Sequence, residues 1–270
     1  MTTRKTGGSQ RTAKGKAART GPTATPAHAA KRGAKKTVPQ RTATPARRVG
    51  DAKPGKATAR GPLDLVRLHA ACFSATRTPA VVHLPALNCL ALEGRGAPEG
   101  REFQDARGAI VGVACTLKFS QKAAGRDFKV PPLEALWWSD YDLSRLADPR
   151  ELWRVPRHTW RWKALLLLPD FVTSEDVRGA RQVLSDRRGG DPLPGRVHLD
   201  RIDEGACMQV LHVGPHAEEP ATIARMQAMM KERGLTPCGF HHEIYLGDPL
   251  GDPLRSPPLK LRTILRQPVR

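Results

Sequence analysis

The sequence predicts an α+β domain: an antiparallel sheet with helices packed on one face, preceded by a disordered basic segment. Three observations lead there. Extended and helical stretches alternate after residue 61, in the order β-α-β, β-α-β-α-β-β. Two of the extended stretches echo one another, which suggests a duplicated unit. The composition also divides sharply at position 60. Residues 1–60 hold 16 Lys/Arg against one acid, Asp51, a net +15. Residues 61–270 hold 29 Lys/Arg against 25 acids, a net +4. The 5 Trp, 2 Tyr and 6 Phe all follow position 60.

The first 60 residues, rich in Ala, Pro, Thr, Gly, Lys and Arg, cannot bury enough apolar surface to offset their ordering entropy. Five prolines, from Pro22 to Pro54, prevent a long helix. Such a chain associates with DNA or RNA through counterion release, without reading sequence. Alternatively it is a solubilising extension with no partner. Residues 61–270 are long enough for one buried core.

Each element carries its own signal. Val81 to Glu93 forms one or two extended stretches broken at Pro85. From Glu102, residues Phe103, Ala106, Ile110, Val113 and Leu117 recur at spacings of 3, 4, 3 and 4, one helical face. Leu133–Ser139 and Trp160–Leu168 are apolar strands. Thr173 or Ser174 opens a helix, with Glu175 and Asp176 in its first turn and Gly189 as its stop. Ala206–Val213 is a strand, and Gly214-Pro215 turns it into a helix with Pro220 near its start. Ile223, Met226 and Met230 share a face of that helix, and Gly234 ends it. His241–Leu246 and Leu261–Val269 complete the set.

The echo pairs Leu-Glu-Ala-Leu-Trp-Trp-Ser-Asp (133–140) with His-His-Glu-Ile-Tyr-Leu-Gly-Asp (241–248). A duplicated unit would relate Glu134 and Glu243 by a pseudo-two-fold axis and aim both into one cleft. Strand alternation puts His241, Glu243 and Tyr245 on one face, and Ile244 and Leu246 on the other. Ile244 and Leu246 are the natural helix-packed side, so Glu243 and Tyr245 are expected on the open face. A carboxylate in an apolar strand is costly to bury unless paired or functional. Glu243 is therefore either a pocket group or a surface carboxylate paired with Arg or Lys. The five tryptophans lie within 26 residues. They form core, or the walls of a pocket for a flat apolar ligand. Trp138 is expected on the face of Glu134, and Trp137 opposite. His212 is either held by a backbone bond or touches ligand.

Other classes are excluded. The five cysteines are widely spaced and odd in number, which argues for a reducing cytosol and against a disulfide framework. There is neither a long apolar run nor an h-region, so no membrane partner and no secretion are expected. The reading is cytoplasmic, with nucleoid association through the tail. No His/Cys/Asp cluster has metal-ligand spacing, and no GxxxxGK[ST] or GxGxxG loop calls for a nucleotide. No metal and no cofactor are expected.

Five stretches in order resemble the GyrI-like small-molecule-binding family. They are Pro-Pro-Leu-Glu-Ala-Leu-Trp-Trp (131–138), Pro-Asp-Phe-Val (169–172), His-Val-Gly-Pro-His-Ala-Glu-Glu-Pro (212–220), His-His-Glu-Ile-Tyr-Leu-Gly-Asp-Pro (241–249) and Leu-Lys-Leu-Arg-Thr-Ile-Leu-Arg-Gln-Pro-Val (259–269). The resemblance implies a duplicated βαββ unit, also described as SOUL-like, with a ligand cleft between the halves. Its stand-alone branch includes cyclopropanoid cyclopropyl hydrolases, which open the cyclopropane of duocarmycin-type DNA alkylators with water. It makes Glu243 the central cleft carboxylate and proton acceptor, with Glu134 sharing that role or placing the water. Trp137, Trp138, Trp162 and Phe171 would sandwich the ligand, and Tyr245, His212 or His216 would donate to its oxygen. His216 stands where the family commonly has Tyr. A non-catalytic protein that sequesters or senses such ligands is the alternative.

Overall fold

A computed structural model describes residues 61–140, 155–247 and 261–270. The basic segment, Trp153 and residues 248–260 lie outside the described residues. Eight strands form one curled antiparallel sheet. In chain order the elements are α1 (Leu65–Leu68), α2 (Ala70–Phe73), β1 (Ala80–Leu84), β2 (Leu87–Arg95), α3 (Arg101–Ala123), β3 (Glu134–Ser139), β4 (Trp160–Leu167), α4 (Ser174–Arg187), β5 (His198–Ile202), β6 (Gly205–Val213), α5 (Glu219–Glu232), β7 (His241–Tyr245) and β8 (Arg262–Pro268).

The sheet order is β1-β6-β8-β7-β3-β4-β2-β5. Its symmetry is plain. β2-α3-β3-β4 and β6-α5-β7-β8 are the two repeats, and the echoed strands β3 and β7 pair at the centre. Each repeat is edged by a strand from the other half's side of the chain: β1 pairs with β6, and β5 with β2.

The helices follow from their sequence. The expected face of α3, from Phe103 to Leu117, is wholly buried. Thr173 caps α4 in a reciprocal box: its hydroxyl accepts from the Asp176 amide, and the Asp176 carboxylate accepts from the Thr173 amide. Met226 and Met230 of α5 pack on Met208 and Val210 of β6 and Leu265 of β8. α3 packs on Leu90, Leu92, Trp162, Ala164 and Leu166, with α4 against it. These three helices therefore cover one sheet face. The short α1 and α2 cover part of the other, over Cys89, Leu165, Cys207, Ile244 and Ile264. None of the five cysteines forms a disulfide among the described residues. Burial pushes the Cys89 and Cys207 thiols up to about 12, which leaves them inert small hydrophobes.

Three elements are absent from the sequence reading. β5 is a five-residue edge strand carrying Asp200 and Arg201, and α1 and α2 are single turns. None is long enough to show a period.

Candidate functional site

The register fixes which side chains meet. Glu134 lies opposite Ile244, and Ala135 opposite Glu243. The two glutamates are thus one residue out of step, and a one-residue offset in a pleated sheet puts side chains on opposite faces. The expectation that Glu134 and Glu243 share a cleft is corrected. So is the expected orientation of β7. Glu243 and Tyr245 share a face with Leu265, the face of the long helices, while Ile244 packs beneath α1 and α2. Glu243 and Tyr245 are both half-buried. α3 serves one half and α5 the other, leaving β3 and β7 at the bottom of the gap.

In that gap the Tyr245 hydroxyl donates to Glu243 Oε2 at 2.8 Å, and Trp137 Nε1 donates to the Tyr245 oxygen at 3.1 Å. His241 Nε2 lies 3.6 Å from Glu243 Oε1. The chain Gly214-Pro215-His216 brings the start of α5 over the same spot. Gly214 has φ 142°, a conformation other residues rarely adopt, and this turns the chain off β6. His216 stands edge-on to Tyr245, with ring centroids 6.0 Å apart, and its Nδ1 is 2.8 Å from Glu219 Oε1. Trp137, Phe103 and Trp160 form the aromatic wall, with Trp137 centred 4.9 Å from Phe103 and 6.0 Å from Trp160.

The electrostatics follow from this packing. Burial and the Glu243 charge push the Glu219 carboxyl up to about 7. Burial also opposes ionisation of Glu243, but His241, the Tyr245 hydroxyl and His216 together hold its carboxyl below the usual range. The hydrogen bond to Glu219 raises His216, and burial beside Glu243 raises Tyr245 well above the ordinary phenol. Two carboxylates in one site are thus driven apart, one ionised and one able to keep a proton. The Glu243 side chain keeps 12% of its surface.

The other expected site residues lie elsewhere. Trp162 is buried under Phe103 with centroids 5.2 Å apart, and is core. Trp138 stacks on Phe240 at 4.5 Å, on the sheet face of Glu134, as its alternation predicts. Phe171 packs on Phe128 at 6.4 Å, with the Arg126 guanidinium 5.3 Å from its ring centroid. His212 is satisfied internally. Its Nε2 donates to the Pro215 carbonyl at 3.1 Å, and its Nδ1 accepts from the Thr222 hydroxyl at 3.0 Å. It clamps the turn that delivers His216. Glu134 belongs to a buried network on the opposite face. His242 Nε2 is 3.1 Å from Glu134, and its Nδ1 is 3.0 Å from Glu204. Arg266 donates to Glu204 at 2.9 Å and to the Cys72 carbonyl at 2.6 Å.

Sequence reasoning missed Glu219, His241, Phe103 and Trp160 as neighbours of Glu243. Glu219 carried a faint signal: it stands three residues after His216, in the first turn of a helix. His241 shares the strand face of Glu243, which alternation already implied.

The duplicated βαββ sheet, with the Glu243 carboxylate at its seam beside an aromatic wall, has a GyrI-like fold. Two solved structures share it. A conserved uncharacterized protein from Listeria innocua is 36% identical, with a TM-score of 0.66, covering 77% of this chain and 100% of its own. A hydrolase from Listeria innocua is 34% identical, with a TM-score of 0.64 and the same coverage. The chain belongs to the family that these Listeria proteins represent. No family model and no curated protein matches it. Among the described residues no helix is long and apolar enough to cross a membrane.

Proposed function

We propose that the cleft binds flat, largely apolar molecules and hydrolyses a strained ring in them, with cyclopropanoid DNA alkylators as the substrate class. The observation that carries this reading is the Glu243 carboxylate, fixed by Tyr245 and His241 against Trp137 and beside the proton-bearing His216–Glu219 pair. The hydrolase from Listeria innocua, 34% identical, supports the reaction class.

The roles follow from the hydrogen bonds. Water adds its oxygen to the cyclopropane methylene, and the ring carbon–carbon bond breaks. The electron pair of that bond enters the conjugated dienone, which becomes a phenolate. Glu243 takes the proton of the attacking water as general base. Tyr245 is committed to Glu243 and His212 to Pro215 and Thr222, so neither is free to donate to the phenolate. His216 is the remaining donor, with Glu219 behind it. Trp137 and Trp160 supply the flat apolar wall. Glu134 has no part in this scheme, because the sheet stands between it and the cleft.

Turnover of a duocarmycin-type cyclopropane by the full chain, followed by chromatography, tests the reading. Ring-opened product is expected from the parent and not from Glu243→Gln, with the fold of the variant unchanged. Normal turnover by Glu243→Gln overturns the mechanism. Unchanged compound together with quenched tryptophan fluorescence makes the protein a sequestering or sensing domain instead.

A further inference from the structure

The cleft brings together a set of donors that the water-activation scheme does not require. A ring nitrogen of His216 and one carboxylate oxygen each of Glu219 and Glu243 all lie within 4.8 Å of one another. The chain gives no hint of this, since His216 and Glu219 open α5 while Glu243 sits in β7; only the fold assembles them. One imidazole nitrogen and two carboxylates are a donor set that borderline divalent cations accept, and three protein ligands with an open position is the usual form of a reactive zinc site.

A second observation points the same way. His241 Nε2 is buried and faces Glu243 Oε1 as an ion-pair partner at the 3.6 Å already given, beyond hydrogen-bond length. It is placed to orient the Glu243 carboxylate toward an ion. The surroundings suit a cation. Two carboxylates crowd a partly desolvated gap, and among the described residues neither Lys nor Arg pairs with either of them. The Trp137–Tyr245–Glu243 chain of hydrogen bonds already fixes one ligand in place.

We propose that His216, Glu219 and Glu243 form a binding site for a single Zn²⁺-like divalent cation. The site coincides with the proposed catalytic carboxylate, so the inference rests on that reading for its consequence alone. An ion held by Glu243 occupies the base, and metal and ring-opening compete. His216 confers the site, since a tyrosine at that position offers no neutral nitrogen ligand.

Co²⁺ titration of the full chain, read by visible d–d absorption, tests binding without any activity assay. A saturable band at one equivalent is expected, displaced by Zn²⁺. Its affinity falls at least about tenfold in Glu219→Gln and in His216→Phe. The two variants guard against a folding failure in either, with circular dichroism as the check. Absence of a saturable band, or an unchanged band in both variants, overturns the site. Turnover by chelator-treated protein separates the two readings. Ring-opening that persists without metal and is suppressed by Zn²⁺ fits both. Ring-opening that requires the metal overturns the competition, and failure of added Co²⁺ to give a saturable band in protein that turns over normally overturns the metal site alone.

Discussion

At the residue scale, the site is one carboxylate with three kinds of neighbour. Tyr245 keeps Glu243 ionised through a hydrogen bond to a charged acceptor, which is worth ~1.5–3 kcal/mol. Tyr245→Phe is therefore expected to lower kcat roughly 10- to 100-fold with little change in KM. An unchanged kcat would show that the phenol only packs. Across the sheet, the Glu134–His242–Glu204–Arg266 network governs stability rather than chemistry. Burial pushes the Glu204 carboxyl up, but His242 and Arg266 outweigh it and hold it near 2, against an ordinary 4.5. A lowered folded pKa stabilises above the unfolded value, so about 3 kcal/mol is present above pH 4.5 and is lost as pH falls toward 2. Burial lowers His242, but Glu204 and Glu134 raise it above 6.5; its contribution is full below 6.5 and fades as pH rises through that raised value. Urea midpoints are expected to be highest between these limits. Glu204→Gln should flatten the decline between 4.5 and 2, and an equally steep decline would refute the assignment. Neither network was legible in the chain. Alternation identified Glu243 and its face-mates, but register decides that Glu134 looks the other way, and register is a tertiary property.

At the element scale, the long segments were legible and the short ones were not. The periods of α3 and α5, the Thr173 box and the Gly214-Pro215 turn are local, and each stands where its residues predict. β5 was missed because Asp200 and Arg201 interrupt a five-residue strand whose order comes from pairing with β2. The helix-covered face was misassigned because the apolar Ile244 also needs cover, which α1 and α2 provide. Two elements offer sharp tests. Gly94 lies opposite Trp162, and a Cβ there would sit 2.2 Å from the indole ring. Gly94→Ala should displace Trp162 and destabilise by roughly 1–3 kcal/mol, the usual cost of overpacking. A calorimetric Tm equal to the parent's would contradict that packing. Thr173→Ala removes the α4 cap and should cost about 1 kcal/mol in denaturant unfolding, with activity untouched.

At the scale of the whole molecule, charge and cleft belong to different parts of the chain. The first 60 residues carry a net +15, and we expect them to supply any affinity for DNA. Deleting them should abolish binding to duplex DNA and its steep salt dependence while leaving turnover by the remainder unchanged. Affinity that survives the deletion, or that ignores salt, would remove this role. Tethering on DNA would hold the cleft where alkylators of DNA accumulate.

The exchange of edge strands reaches into how the protein is made. β8, the last strand in the chain, lies in the sheet interior between β6 and β7, and β1 waits for β6 to emerge before it has a neighbour. During synthesis the first repeat leaves the ribosome with its β2 edge bare until β5 arrives, and its β3 edge bare until β7 arrives. Neither repeat is a finished product. The nascent chain is a half-sheet with two open edges, and the seam that holds Glu243 comes into existence only when β7 and β8 have joined it.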